Sequence, residues 1–152
     1  MFAWAVMLLS PASHNLILMF SAREVLSLPI SRMSGLARRR RLLSQEASVK
    51  YFLLGAFASA FFLYGVALLY GYAGTVDLSG IFTANQVAGK SELLMYLGLA
   101  MLVVGLLFKI GAVPFQAWTP DVYQGAPTAV TALMAACTQV AAFGALLRGP
   151  YA

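Results

Sequence analysis

Glu24, Lys50 and Lys109 are the residues of this sequence that could do chemistry, because each stands in or beside a long apolar stretch. A charge placed near the middle of a bilayer costs about 3 kcal/mol or more unless it finds a partner or water. Glu24 sits about ten residues from either end of a segment running from about Asn15 to Leu36. A carboxylate there is either neutralised in place, by Arg23 or a hydrogen bond, or it takes up and releases a proton as its surroundings change. A merely structural helix could use leucine, which favours the proton-binding reading. Lys109 follows Leu106, Leu107 and Phe108 and precedes Ile110, Ala112 and Val113. If its helix ends at Pro114, Lys109 lies near the membrane surface and snorkels. If the helix only breaks at Pro114 and resumes towards Gln124, Lys109 falls near mid-membrane, and a desolvated lysine is a reversible proton carrier. Broken helices of this kind line transport pathways, where irregular backbone faces protein or water. Lys50 lies roughly two turns into the next apolar segment. Helical spacing puts Glu46 on the same face, so an ion pair or snorkelling stands beside a place on a proton path.

The elements that must position these residues are membrane spans. Of 152 residues, 61% are hydrophobic and 10% charged, against about a quarter charged in a soluble domain. The net charge of +5 is concentrated: Arg32 and the run Arg38, Arg39, Arg40 and Arg41 are half of the 10 basic residues. A short basic loop between two spans faces the cytoplasm, which assigns the arginine loop 37–43 to that side. No basic groove interleaved with aromatic residues accompanies it, so nucleic acid is not an expected partner. Cys137 cannot form a disulfide within the chain, and His14 has no companion metal ligands. No CxxC set, glycine-rich phosphate loop or nucleophile elbow is present. The chain is therefore expected to bind no nicotinamide, flavin or iron–sulfur cluster itself.

Reading along the chain gives an all-α integral membrane bundle of about four full transmembrane helices plus one partial helix, with one helix broken at Pro114. Residues 1–152 form a single membrane domain. The apolar start, Phe2 to Leu9, is too short to span and reads as the end of a longer helix, which marks the chain as a fragment. Later segments start near Ser44, with Glu46 in the first turn, at Ser91-Glu92, and near Pro127 as a first helical residue. Gly55, Ser59 and Gly65 are small enough to let helices approach closely. The stretch from Gly74 to Lys90 reads as a polar loop on the side opposite the arginines. Thr119-Pro120-Asp121 combines a capping hydroxyl, a first-position proline and an acid at a positive helix end.

Three stretches carry a family resemblance: Ser44-Gln45-Glu46-Ala47-Ser48-Val49-Lys50-Tyr51-Phe52-Leu53-Leu54-Gly55-Ala56, the run from Gly105 to Phe115 followed by Trp118-Thr119-Pro120-Asp121-Val122-Tyr123-Gln124-Gly125-Ala126-Pro127, and Glu24-Val25-Leu26-Ser27-Leu28-Pro29. They resemble subunit N of bacterial NADH:quinone oxidoreductase (complex I), an antiporter-like membrane subunit. The resemblance implies roughly fourteen helices built from inverted repeats, each with a broken helix, of which this chain covers most of the first repeat. It places Glu24, Lys50 and Lys109 on the proton path and gives the chain other membrane subunits of complex I and the lipid bilayer as partners. NADH, FMN, iron–sulfur clusters and quinone are then handled by other subunits, and the location is the bacterial inner (plasma) membrane. Departures accompany the match. Gln139 stands where the family usually has a lysine, and Gln116 where it has a histidine. Arg23 and Ser31 replace apolar and aromatic residues, and Asn15 replaces an acid. Glutamine cannot carry a proton charge, and Arg23 beside Glu24 could fix it as an ion pair. A subunit of a multisubunit sodium/proton antiporter, or a membrane remnant that transports nothing, are the alternative readings.

Overall fold

The computed structural model describes residues 12–37, 41–86 and 92–151, together with residues 5, 8 and 9. Most of the apolar start, Arg38 to Arg40 of the arginine loop, and Val87 to Ser91 lie outside the described residues. The described chain is helical, in the order α1 (Leu16–Ser34), α2 (Arg41–Ala73), α3 (Leu78–Ala84), α4 (Glu92–Ile110), α5 (Trp118–Gly125) and α6 (Thr128–Leu133). A π-helical turn, Met134–Thr138, then leads into α7 (Gln139–Tyr151).

Among the described residues, three helical stretches are long and apolar enough to cross a membrane: Arg41–Ala73, Glu92–Ile110 and Thr128–Leu147. The fourth expected span, α1, has the length at 19 residues but carries Arg23, Glu24 and Arg32. The core is apolar, and the surface is apolar too, where that of a soluble protein is polar. Large apolar side chains such as Phe52, Leu53, Phe57, Leu63 and Tyr64 point outward along α2, while Arg23, Lys109 and several serines are buried. That distribution suits a lipid solvent.

α2 packs most extensively against α4, and small residues set how closely. A Cβ on Gly65 would fall 2.7 Å from both the Gly98 carbonyl oxygen and the Leu102 nitrogen, so the two backbones are in contact there. Gly55, expected to serve the same purpose, has open space beside it. Ser59 is spent on a side-chain hydrogen bond instead.

Helix ends depart from the sequence reading in instructive ways. α2 starts at Arg41, so Arg41 to Leu43 belong to a helix rather than to the loop, and Ser44 is an interior residue. The Ser44 hydroxyl donates to the Ser34 carbonyl and accepts from the Ala37 amide at 3.1 Å, closing the turn after α1. The polar stretch beginning at Gly74 contains α3, whose Leu78, Ile81 and Ala84 are buried. A short antiparallel bridge between Asn15 and Asp77 ties it to the start of α1. Asn15 also caps α1, accepting from the Ile17 and Leu18 amides, which a carboxylate or an amide oxygen does equally well. Pro127 is the N-cap of α6 rather than its first residue. Thr119 is likewise no cap, since α5 starts at Trp118 after Ala117.

Candidate functional site

The broken helix is the feature that builds the site. α4 ends at Ile110 because Gly111 takes a left-handed conformation with φ of 73°, the usual glycine stop of a helix. The amides of Gly111 and Ala112 both bond back to the Leu107 carbonyl at 3.0 and 3.1 Å. The break thus starts ahead of Pro114, which follows in the irregular link with a cis bond to Val113. α5 resumes at Trp118. Two carbonyls at the end of α4 are taken by side chains from beyond the break. Trp118 Nε1 donates to the Phe108 carbonyl at 3.0 Å, and Gln139 Nε2 to the Ile110 carbonyl at 3.4 Å.

Lys109 stands one residue before that end and is only 7% exposed. Its ammonium donates to Ser27 Oγ at 2.8 Å and to the Tyr51 hydroxyl, and it lies 4.7 Å from the centroid of the Tyr51 ring. Both hydrogen-bond partners are neutral. α1 supplies Ser27, α2 supplies Tyr51 and α4 supplies the lysine, so three helices meet at one nitrogen.

Glu24 belongs to the same cluster by another route. It is half-buried and accepts a hydrogen bond from Ser59 of α2. A cavity of about 30 Å³ is lined by Glu24, Ser27, Tyr51 and neighbouring apolar side chains; a water needs about 10–15 Å³. The fixed pair of Arg23 with Glu24, one of the alternatives for that carboxylate, does not form. Arg23 turns the other way, donating from Nη2 to the Gly105 carbonyl at 3.1 Å, with its guanidinium 4.5 Å from the centroid of the Phe62 ring. Its Nε and Nη1 have no hydrogen-bond partner among the described residues. Adjacent helical residues point about 100° apart, which is why a neighbour in sequence is not a partner in space.

Lys50 is not brought into this cluster. It pairs with Glu46 one turn earlier and with Asp121 of α5, each at 2.7 Å, with 38% of its side chain exposed. The Glu46 pair is the one its spacing anticipates; the Asp121 pair joins α2 to α5 at the corner. Gln139 follows the π-helical turn, in which the Thr138 hydroxyl bonds the Met134 carbonyl, and it touches the end of α4 rather than Lys109.

Tyr51, Ser27 and Ser59 are the members of the site that the sequence reading passed over. Ser27 lies three residues after Glu24, on the same face of α1, a usable signal. Tyr51 stood in an apolar run without any such mark.

Residues 13–150 match the family described as NADH:quinone oxidoreductase/Mrp antiporter, transmembrane, and the chain belongs to that family. Within it, subunit N of NADH-quinone oxidoreductase from Saccharopolyspora erythraea is 66% identical over 148 residues, covering 97% of this chain and 29% of that protein. A chain of respiratory complex I from Thermus thermophilus superposes with a TM-score of 0.85 at 46% identity, covering 97% of this chain and 32% of that one. A chain of the Mrp complex from Dietzia sp. superposes with a TM-score of 0.84 at 26% identity, covering 95% of this chain and 27% of that one. The chain therefore spans less than a third of the length of these relatives.

Proposed function

We propose that this chain is a piece of the proton-translocating membrane subunit of an NADH:quinone oxidoreductase, in which electron transfer from NADH to quinone drives protons through the bundle. The observation that carries the reading is Lys109, buried beside a broken helix end and held by hydroxyls alone. An ammonium there donates to both hydroxyls; a neutral amine still donates and can also accept, so the site serves either protonation state. Glu24, which lines a water-sized cavity together with the lysine's partners Ser27 and Tyr51, is the carboxylate partner on the path. Lys50, the third residue of the path that the resemblance implies, is tied to Glu46 and Asp121 at the corner of α2 and α5, where it serves as a fixed charge rather than a carrier.

The redox chemistry belongs to other subunits, which hold NADH, FMN, the iron–sulfur clusters and quinone. Residues 1–152 form part of the first inverted repeat, in the bacterial inner membrane with the arginine loop 37–43 in the cytoplasm. The higher identity to subunit N favours complex I over the antiporter complexes.

The test uses a full-length subunit carrying this segment, assembled in its complex in inverted membrane vesicles. Lys109→Ala is expected to abolish the subunit's share of NADH-driven acidification while the complex still assembles. Undiminished acidification by the assembled complex contradicts the reading. Proton movement driven by a sodium gradient and not by NADH moves it to the antiporters.

A further inference from the structure

Lys109 and Glu24 form no ion pair; the pairs among the described residues are those of Lys50. What lies between them is a set of hydroxyls. Lys109 Nζ touches Ser27 Oγ and the Tyr51 hydroxyl. Those two residues and Glu24 line one cavity of about 30 Å³, large enough for a water. Ser59 holds the Glu24 carboxylate from the α2 side. Ser27 Oγ is itself fixed, donating to the Arg23 carbonyl at 2.9 Å, so its proton is committed to backbone while its lone pairs face the lysine. The Tyr51 hydroxyl is committed to no backbone group: it accepts from Lys109 and bonds the Ser27 side chain, and Tyr51 lines the cavity. Tyr51 is held rigidly, 4% exposed and edge-on to the Trp118 ring with centroids 5.7 Å apart.

From this asymmetry we propose that Tyr51 is the proton relay between Lys109 and Glu24, and that Ser27 is a positioning residue that aims the lysine at it. This deepens the proton-translocation reading and rests on it. In the forward step the Lys109 ammonium gives one proton to the Tyr51 oxygen. The Tyr51 O–H bond breaks and its original proton passes to a water in the cavity. That water gives a proton to the Glu24 carboxylate. Lys109 ends as a neutral amine, Glu24 as a carboxylic acid, and Tyr51 and the water are regenerated, with charge conserved throughout. Rotation of the Tyr51 hydroxyl resets the relay, and reversal returns the proton. Phenylalanine keeps the ring, its packing on Trp118 and its face towards the ammonium, and removes only the oxygen.

The test compares Tyr51→Phe, Ser27→Ala and Ser27→Thr with Lys109→Ala, each in the full-length subunit within the assembled complex in vesicles. The readouts are protons translocated per NADH oxidised and the solvent deuterium isotope effect on that ratio. Tyr51→Phe is expected to lose translocation to the level of Lys109→Ala, at unchanged subunit content. Ser27→Ala is expected to lose part of it, and Ser27→Thr, which keeps the hydroxyl, to restore it. If Lys109→Ala abolishes the subunit's translocation while Tyr51→Phe keeps both the ratio and the isotope effect of the parent, the relay is wrong and the pump reading stands. If Lys109→Ala itself changes nothing, the pump reading has failed instead. Should Tyr51→Phe not assemble, the serine pair decides: equal translocation by Ser27→Ala and Ser27→Thr overturns the proposed geometry.

Discussion

Lys109 and Lys50 are the same side chain on two helices that pack together, and their surroundings are opposite. Lys50 is partly exposed and clasped by two carboxylates, Glu46 and Asp121. Lys109 is buried, with neutral hydroxyls around its nitrogen. Two negative partners fix one protonation state of a lysine and make it a tie between helices. Hydroxyls can donate as well as accept, so they suit both states of the amine. The difference teaches that a lysine in a membrane segment becomes a candidate carrier through its partners, and that residue type alone does not decide it.

Both lysines depend on α2 and α4 being locked together, so the largest effect should come from the contact that locks them. Gly65→Val would drive side-chain atoms into the α4 backbone, at 2.7 Å already for the first carbon. Overpacking costs about 1–3 kcal/mol, and more where the clash is with backbone that cannot move aside. Subunit content in membranes, measured by immunoblot, should fall sharply for Gly65→Val and stay unchanged for Gly55→Ala, whose side has open space.

Next is the stop at the end of α4. Trp118→Phe keeps the ring stack on Phe108 but leaves the Phe108 carbonyl without its indole donor. A loss of about 1 kcal/mol is expected, read as a lower melting temperature of the assembled complex in detergent. Gln139→Lys bears on the same end: it restores a titratable group where glutamine now bonds the Ile110 carbonyl. Proton translocation per NADH should rise if the path continues through α7; an unchanged ratio places the limiting step elsewhere. The smallest effect is expected from Lys50→Ala, which removes two exposed ion pairs that salt already screens. Its translocation should stay close to that of the parent, and a loss as large as that of Lys109→Ala would erase the contrast between the two lysines.

Much of this was legible in the sequence, and the reasons are local. Span-length apolar tracts announce α2 and α4, and Pro114 announces a broken helix, although the stop itself falls at Gly111. Glu24 and Lys109 stand out because bilayers exclude charge. The partners were less legible. Arg23 is adjacent to Glu24 in sequence yet reaches Gly105 on another helix, a tertiary choice that spacing does not encode. Tyr51 looks like any aromatic in an apolar helix until α4 brings Lys109 to its hydroxyl. The helix α3 hid behind polar residues, because only its Leu78, Ile81 and Ala84 face carries the packing.

Lys109 carries protons only if it changes its protonation state. Lys109→Arg tests it most directly, because guanidinium keeps the positive charge but does not give up its proton. In vesicles containing the assembled complex, the account expects Lys109→Arg to translocate no better than Lys109→Ala. Translocation at the parent level by Lys109→Arg would show that a fixed positive charge suffices at this position, and would contradict the account.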